Sequence, residues 1–210
     1  MALWLIMRNQ DIPTPLVLGS GSSARARILR DAGVPFRVKP PNIDESAALA
    51  GLLTAAVDVE ASALHLAEMK ALEVCGSLSN TVVISGDQIL ECEGRWFQKA
   101  STLEHARRNL EHLSNRKHRL VTGLAVAKDG EIIWQHVDQA VLSVRHLSPV
   151  FLDAYFDTVG QKALESVGGY QIESIGAQLF NRIEGDYMTI LGLPLIPLLN
   201  FLRANGFLGW

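Results

Sequence analysis

Hydrophobic positions along the chain follow two different periods. Apolar runs at 16–20, 35–39, 81–86, 120–127, 132–144 and 177–184 predict strands. Apolar residues at helical spacing predict helices over 23–32, 58–75, 102–113, 148–158 and 195–204. In the second of these helices Leu64, Ala67, Ala71 and Leu72 form the stripe, and Lys70 sits near its edge. The first half therefore reads strand, helix, strand, long helix, strand, which is the pattern of an α/β core. The middle breaks that pattern. Two long strand candidates flank Lys128-Asp-Gly130, and Asp-Gly is a strong hairpin signal. The expected fold class is α/β, with a mixed sheet that contains a long antiparallel hairpin and is flanked by helices.

Local chemistry supports these boundaries. Ser22 or Ser23 can cap the first helix and Gly33 can end it. Ser101 or Thr102 starts another, with Glu104 in its first turn. Ser148-Pro149 opens the next, because proline is well tolerated at the first helical position. Asn205-Gly206 closes the last. No internal repeat, heptad run or low-complexity tract interrupts the chain.

Composition narrows the class. With 210 residues and 48% hydrophobic residues the chain can bury a sizeable core. A formal net charge of -3 argues against binding a nucleic-acid polymer, which favours a basic surplus. Cys75 and Cys92 are the only cysteines, form no CxxC pair and read as small core residues in a reducing compartment, the cytoplasm. The apolar start, Met-Ala-Leu-Trp-Leu-Ile-Met7, has no preceding positive residue and no small-residue cleavage site after it, so it reads as a poor signal peptide. Residues 1–14 are expected to be a flexible extension, with Met7 an alternative start, and 15–210 a single domain. The longest apolar stretch, 193–202, contains Pro194 and Pro197 and is too short to span a membrane.

The most informative segment is Leu16-Val-Leu-Gly-Ser-Gly-Ser-Ser-Ala-Arg25: a short strand, a turn of small residues, and a helix with arginine in its first turn. Unpaired amides and the positive dipole end of such a helix suit a phosphate, and small residues let it come close. Arginine can close on it with a forked pair of hydrogen bonds. The same turn also matches G-x-G-x-x-A, the dinucleotide fingerprint, with Asp44 about 20 residues on where a ribose-binding acid is expected. Against that reading, Asp44 follows Pro40-Pro41-Asn42 in a loop, and the hairpin breaks the repeated βα pattern. A turn of small residues with no ligand is the third reading.

Two acidic positions stand near this turn in the predicted topology. Asp44-Glu45 falls in a polar loop, and Asp87 ends the apolar strand 81–86, with Gly86 allowing close backbone approach. Ligands of open α/β sheets bind beyond the carboxyl ends of strands. Carboxylates converging there could hold Mg²⁺, which takes oxygen ligands; alternatively these residues are solvated loop, helix cap and turn. Lys70 and Lys99 are not distinguished from other surface lysines by composition alone. The six histidines form no metal-ligand spacing and read as surface or core residues. No G-x-S-x-G or P-loop sequence is present.

Six segments in a fixed order resemble the Maf family of nucleoside triphosphate pyrophosphatases. They are Leu18-Gly-Ser20-Gly-Ser22-Ser-Ala-Arg25, Ile43-Asp-Glu45, Ala67-Glu-Met-Lys70-Ala71, Gly86-Asp87-Gln88, Gln98-Lys99 and Gly185-Asp-Tyr with Leu191-Gly-Leu-Pro-Leu195. The resemblance runs from about residue 15 to the C-terminus. It implies an elongated twisted sheet with two lobes around a central cleft. Ser20, Ser22 and Arg25 would cradle the triphosphate, and Lys70 and Lys99 would neutralise its charge. Asp87 would act as general base or orient the water, and Glu45 and Asp87 would hold a divalent cation, Mg²⁺ or Mn²⁺. The implied reaction is attack of water on the α-phosphorus with release of pyrophosphate. A homodimer is also implied.

Gly86-Asp87-Gln88 and Glu173, in Gly168-Gly-Tyr-Gln-Ile-Glu173, resemble the branch that hydrolyses 7-methyl-GTP, whose cationic base a carboxylate would favour. Ser23 replaces a proline usual in the family. Ala24 replaces an arginine or tryptophan that contributes to specificity, which makes Ala24, Gln88 and Glu173 the candidate specificity positions. Two other readings stay open: a nucleotide-binding regulatory protein linked to septum formation with weak catalysis, and an NAD(P)-dependent oxidoreductase resting on Asp44.

Overall fold

A computed structural model describes residues 15–209. The proposed extension at 1–14 lies outside the described residues. The chain forms two compact units. The first is built from residues up to Asp87, Gly123–Val137 and the segment from Gly192 onward; the second from Gln88–Thr122 and Asp138–Leu191. The fold is mixed α/β with seven strands in an open sheet flanked by helices, as the two hydrophobic periods predict.

In the first unit, β1 (Leu16–Leu18) lies parallel to β2 (Arg37–Val38) on one side and to β3 (Val82–Cys92) on the other, with Val17 opposite Val83. All three β1 residues and Val82, Val83 and Ile84 are buried, as a parallel pair covered on both faces requires. β5 (Lys117–Lys128) and β6 (Glu131–Val144) continue the order. They are joined through Asp129 and Gly130, whose φ values of 52° and 83° are those of a tight hairpin turn.

Helix α1 is Ser23–Asp31, α2 is Glu45–Thr54 and α3 is Val59–Cys75. The small face of α3, Ala67, Ala71 and Val74, packs on Val17, Val83, Ala125 and Ala127. Small residues on both surfaces bring helix and sheet together closely. At Gly123 of β5 a Cβ would run into the backbone of Ala63, so only glycine admits the helix there. Cys75 belongs to this core.

In the second unit, β3 turns through Glu93 and Gly94 into β4 (Arg95–Phe97), an antiparallel partner that pairs Leu90 with Phe97. β7 (Phe180–Glu184) pairs antiparallel with β6. Helices α4 (Leu103–Leu113), α5 (Pro149–Val159) and α6 (Tyr187–Ile190) belong to this unit, and α7 (Leu195–Ala204) to the first. Leu90, Leu110, Leu142, Leu152, Tyr155 and Tyr170 lie in the second unit's core, as does Cys92.

Three expectations need correction. β3 does not stop at 86 but runs to Cys92, with the poor strand formers Gly86, Asp87 and Gln88 inside the strand. Glu45 starts a helix and does not lie in a loop; alanine and leucine are spread around all sides of Glu45–Thr54, so its sequence shows no distinct apolar stripe. The two-residue turn at Glu93-Gly94 hides the short strand β4. No helix among the described residues is long and apolar enough to cross a membrane.

Candidate active site

The site in the first unit grows from the end of β1. Ser22 is the N-cap of α1, and its hydroxyl accepts from the Arg25 amide at 3.3 Å. The buried Ser20 hydroxyl accepts from the Ser22 amide at 3.2 Å and from Arg25 Nη1 at 3.1 Å. The cap takes the third helical amide and leaves those of Ser23 and Ala24, with the positive end of the dipole, at the mouth of the turn. Ala24 is half-buried in that first turn and presents only a methyl group.

Arg25 is 9% exposed, and Nε donates to the carbonyl of Gly192 at 2.7 Å. Burial lowers its pKa from the usual arginine value, while Asp87 and Glu45 push in the opposite direction. A buried guanidinium with acids nearby remains a fixed cation. Glycines make room for it. A Cβ on Gly86 would lie 3.4 Å from Arg25 Nε and 2.7 Å from Leu124 Cδ2. Gly192 holds φ at +93° with its Cα facing the same guanidinium.

Beside it stands a trio. Lys70 of α3, 4% exposed, places Nζ 2.5 Å from Asp87 Oδ1 and 2.7 Å from Glu45 Oε2. The Asp87 side chain is 14% exposed and that of Glu45 57%. Asp87 does not end its strand, but it does follow the end of the parallel pairing. The parallel pairing of β1 with β3 ends at Leu18 opposite Ile84, after which the Gly19 amide donates to Ile84 O at 2.8 Å. Asp87 lies just past that carboxyl edge, where parallel sheets bind ligands.

Asp44 is the N-cap of α2 and accepts from the Ala47 amide at 2.9 Å. That carboxylate is committed to the helix, which removes the acid on which the dinucleotide reading rests. Asp44 instead sets the start of α2, and so places Glu45 in its first turn opposite Lys70.

The first unit therefore brings together Ser20, Ser22, Arg25, Glu45, Lys70 and Asp87. The remaining candidates, Gln88, Lys99 and Glu173, belong to the second unit. Lys99 and Glu173 are exposed there. Gln88 Nε2 donates to Thr122 Oγ1 and to Thr189 O, each at 2.9 Å, and approaches Ile190 O at 3.3 Å. Its amide group is engaged with protein acceptors, which ties β3 to β5 and to α6. Asp138 Oδ2 accepts from Thr189 Oγ1 at 2.6 Å in the same network. Sequence reasoning missed both Gly192 and this network. The Gly-Leu-Pro signal marks a turn at 192, but nothing local says that its carbonyl meets an arginine 167 positions away.

Two carboxylates flanking one ammonium, next to a buried arginine and a serine-rich helix start, define an α/β protein equipped for phosphate chemistry. Comparison with known proteins makes the assignment specific. The model of the family described as Maf-like protein matches residues 15–205. A nucleoside triphosphate pyrophosphatase of Caulobacter vibrioides is 49% identical over 193 residues, covering 92% of this chain and 96% of that protein. A 7-methyl-GTP pyrophosphatase of Mesorhizobium japonicum is 44% identical, covering 91% of this chain and 96% of that protein. Among solved structures, a HAM1 protein from Coxiella burnetii overlaps with a TM-score of 0.41 at 16% identity, over 62% of this chain and 73% of that one. The chain belongs to the Maf family.

Proposed function

We propose that this protein is a nucleoside triphosphate pyrophosphatase that hydrolyses its substrate to the monophosphate and pyrophosphate. The observation that carries the proposal is the meeting of Arg25, Lys70, Glu45 and Asp87 around the serine turn. In this reading the turn and Arg25 hold phosphate oxygens, where fixed donors stabilise the charge that builds up in the transition state. Asp87 accepts the proton of the attacking water, and Lys70 keeps that carboxylate oriented while neutralising its neighbour.

The donor set also suits a hard divalent cation. Glu45 and Asp87, which meet at Lys70, would offer two carboxylates, and substrate oxygens would complete the shell. Mg²⁺ is held in this way, by one or two carboxylates together with phosphates. When bound, Mg²⁺ or Mn²⁺ would supply further neutralisation of phosphate charge.

The relatives carry two names, and the finer choice of base is part of the proposal. Glu173 supports a preference for the cationic 7-methylguanine base. The engaged amide of Gln88 supports a bracing role for that residue in place of direct base reading. Lys99 keeps its proposed role as a phosphate-binding cation, and the protein acts as a cytoplasmic homodimer.

Pyrophosphate release measured over a panel of nucleoside triphosphates, 7-methyl-GTP included, with Mg²⁺ or Mn²⁺ tests the reading. Turnover that Asp87→Asn abolishes supports it. A folded protein that binds nucleotides without releasing pyrophosphate would favour the regulatory alternative.

A further inference from the structure

The second unit contains a buried polar pair that the proposed chemistry does not use. His118 of β5 is 2% exposed, and its Nε2 lies 2.6 Å from the hydroxyl of Tyr170, itself 5% exposed. The Tyr170 ring packs edge-on against Phe180, with centroids 4.9 Å apart, and tilts toward the His118 ring. The other ring nitrogen of His118, Nδ1, is buried with no hydrogen-bond partner among the described residues. Burial also pulls the His118 pKa down to about 4, so the ring is neutral near pH 7.

An apolar pair would fill the same volume with no orphaned nitrogen, and replacing both partners of a buried hydrogen bond is often nearly neutral. What the polar pair adds is direction: it fixes where the tip of Tyr170 points.

Tyr170 is the buried anchor of the segment that carries Glu173. Ser166 Oγ accepts from the Tyr170 amide at 2.9 Å and donates to its carbonyl at 2.6 Å. The Tyr155 hydroxyl donates to Gly169 O at 3.1 Å. Gly168 has no Cβ, which would collide with the Tyr170 ring folded over it. Beyond the anchor, Ser174 donates back to Gln171 O through its amide at 3.2 Å and its hydroxyl at 3.0 Å. The segment is thus fastened on either side of its exposed crown, Glu173.

We propose that His118, acting through Tyr170, is a positioning residue for the segment 168–174 and thereby for the base preference that Glu173 confers. The proposal rests on the pyrophosphatase reading and on Glu173 as its specificity residue. His118 touches no substrate in this account. It sets the orientation of the anchor, and the hydrogen bonds around 166–174 carry that orientation to the carboxylate.

The test uses Tyr170→Phe, which removes one oxygen and keeps the ring, and the apolar double variant His118→Leu/Tyr170→Phe, which removes both polar partners. The ratio of kcat/KM for 7-methyl-GTP to that for dTTP is measured with melting temperature. The expected result for Tyr170→Phe is a ratio reduced about tenfold, mainly through KM, with kcat changed less than about twofold. The double variant is expected to recover melting temperature but not the ratio. In a Glu173→Gln background Tyr170→Phe should shift the ratio no further. A ratio that returns together with stability, or that shifts equally with Glu173 already replaced, overturns the proposal. A wild-type protein with no pyrophosphate release at all would instead sink the pyrophosphatase reading itself.

Discussion

Arg25 Nε donates to the main-chain carbonyl of Gly192 at 2.7 Å, which orients a first-turn arginine of α1 by a backbone atom near the other end of the chain. With Nη1 on Ser20 Oγ, two edges of the guanidinium are held by the protein. Its direction is therefore set before any ligand arrives, and preorganised donors of this kind stabilise transition-state charge most effectively.

Arg25→Lys should retain a positive charge but lose the fork that meets Gly192 and Ser20 together. The expected outcome is a fall in kcat/KM of about 10²-fold, with a lowered melting temperature because the Gly192 carbonyl loses its partner. Steady-state kinetics and thermal melts on the same preparation check it. An Arg25→Lys variant with wild-type kcat/KM would contradict the role given to the guanidinium.

Asp87→Asn keeps the shape of the side chain and removes its capacity to accept a proton. We expect kcat to fall by about 10²–10⁴-fold, while nucleotide binding measured by calorimetry changes far less. Lys70→Met should behave differently. Without the ammonium, Glu45 and Asp87 lose the cation that both contact directly, so substrate affinity and stability should both fall.

Substitutions at Gly86 and Gly123 should differ in severity. Gly86→Ala places its methyl 2.7 Å from a movable Leu124 side-chain carbon and close to Arg25 Nε. It should cost about 1–3 kcal/mol and lower kcat/KM by disturbing Arg25. Gly123→Ala drives the new methyl into the Ala63 backbone, which cannot swing aside. It should destabilise the protein more than Gly86→Ala does, as read from urea midpoints at constant slope.

Stability should rise with pH across the acid range in a way traceable to His118. Burial lowers its folded pKa from 6.5 to about 4, so between those values the unfolded chain binds a proton that the folded chain refuses. The contribution is fully present above pH 6.5 and is lost as pH falls toward 4, about 3 kcal/mol in all. Urea unfolding of the wild type and of His118→Leu between pH 4 and 7 should show a shallower slope with pH in the variant. Equal slopes would show that His118 does not titrate in this way.

How much of this was legible in the chain follows from the range of each interaction. The sequence by itself determined the helices α1, α3, α4, α5 and α7 to within a residue at each end, because caps and apolar spacing are local properties. The β5–β6 hairpin was equally legible, since Asp129-Gly130 supplies both positive φ values of its turn. The family pattern pointed to Ser20, Ser22, Arg25, Glu45, Lys70, Asp87 and Lys99 as one group, and all but Lys99 fall in the first unit.

Tertiary structure alone decided the rest. Helix α2 stayed hidden because its alanines and leucines lie on all sides, so no helical periodicity marks it in the sequence. The strand runs on through Gly86, Asp87 and Gln88 beside β5, against the preferences of its own residues. The Gly192 carbonyl on Arg25, the Lys70 bridge between two acids and the His118–Tyr170 pair all join residues distant in the chain. Which distant groups meet depends on how helices and strands stack, and local periodicity does not encode that stacking.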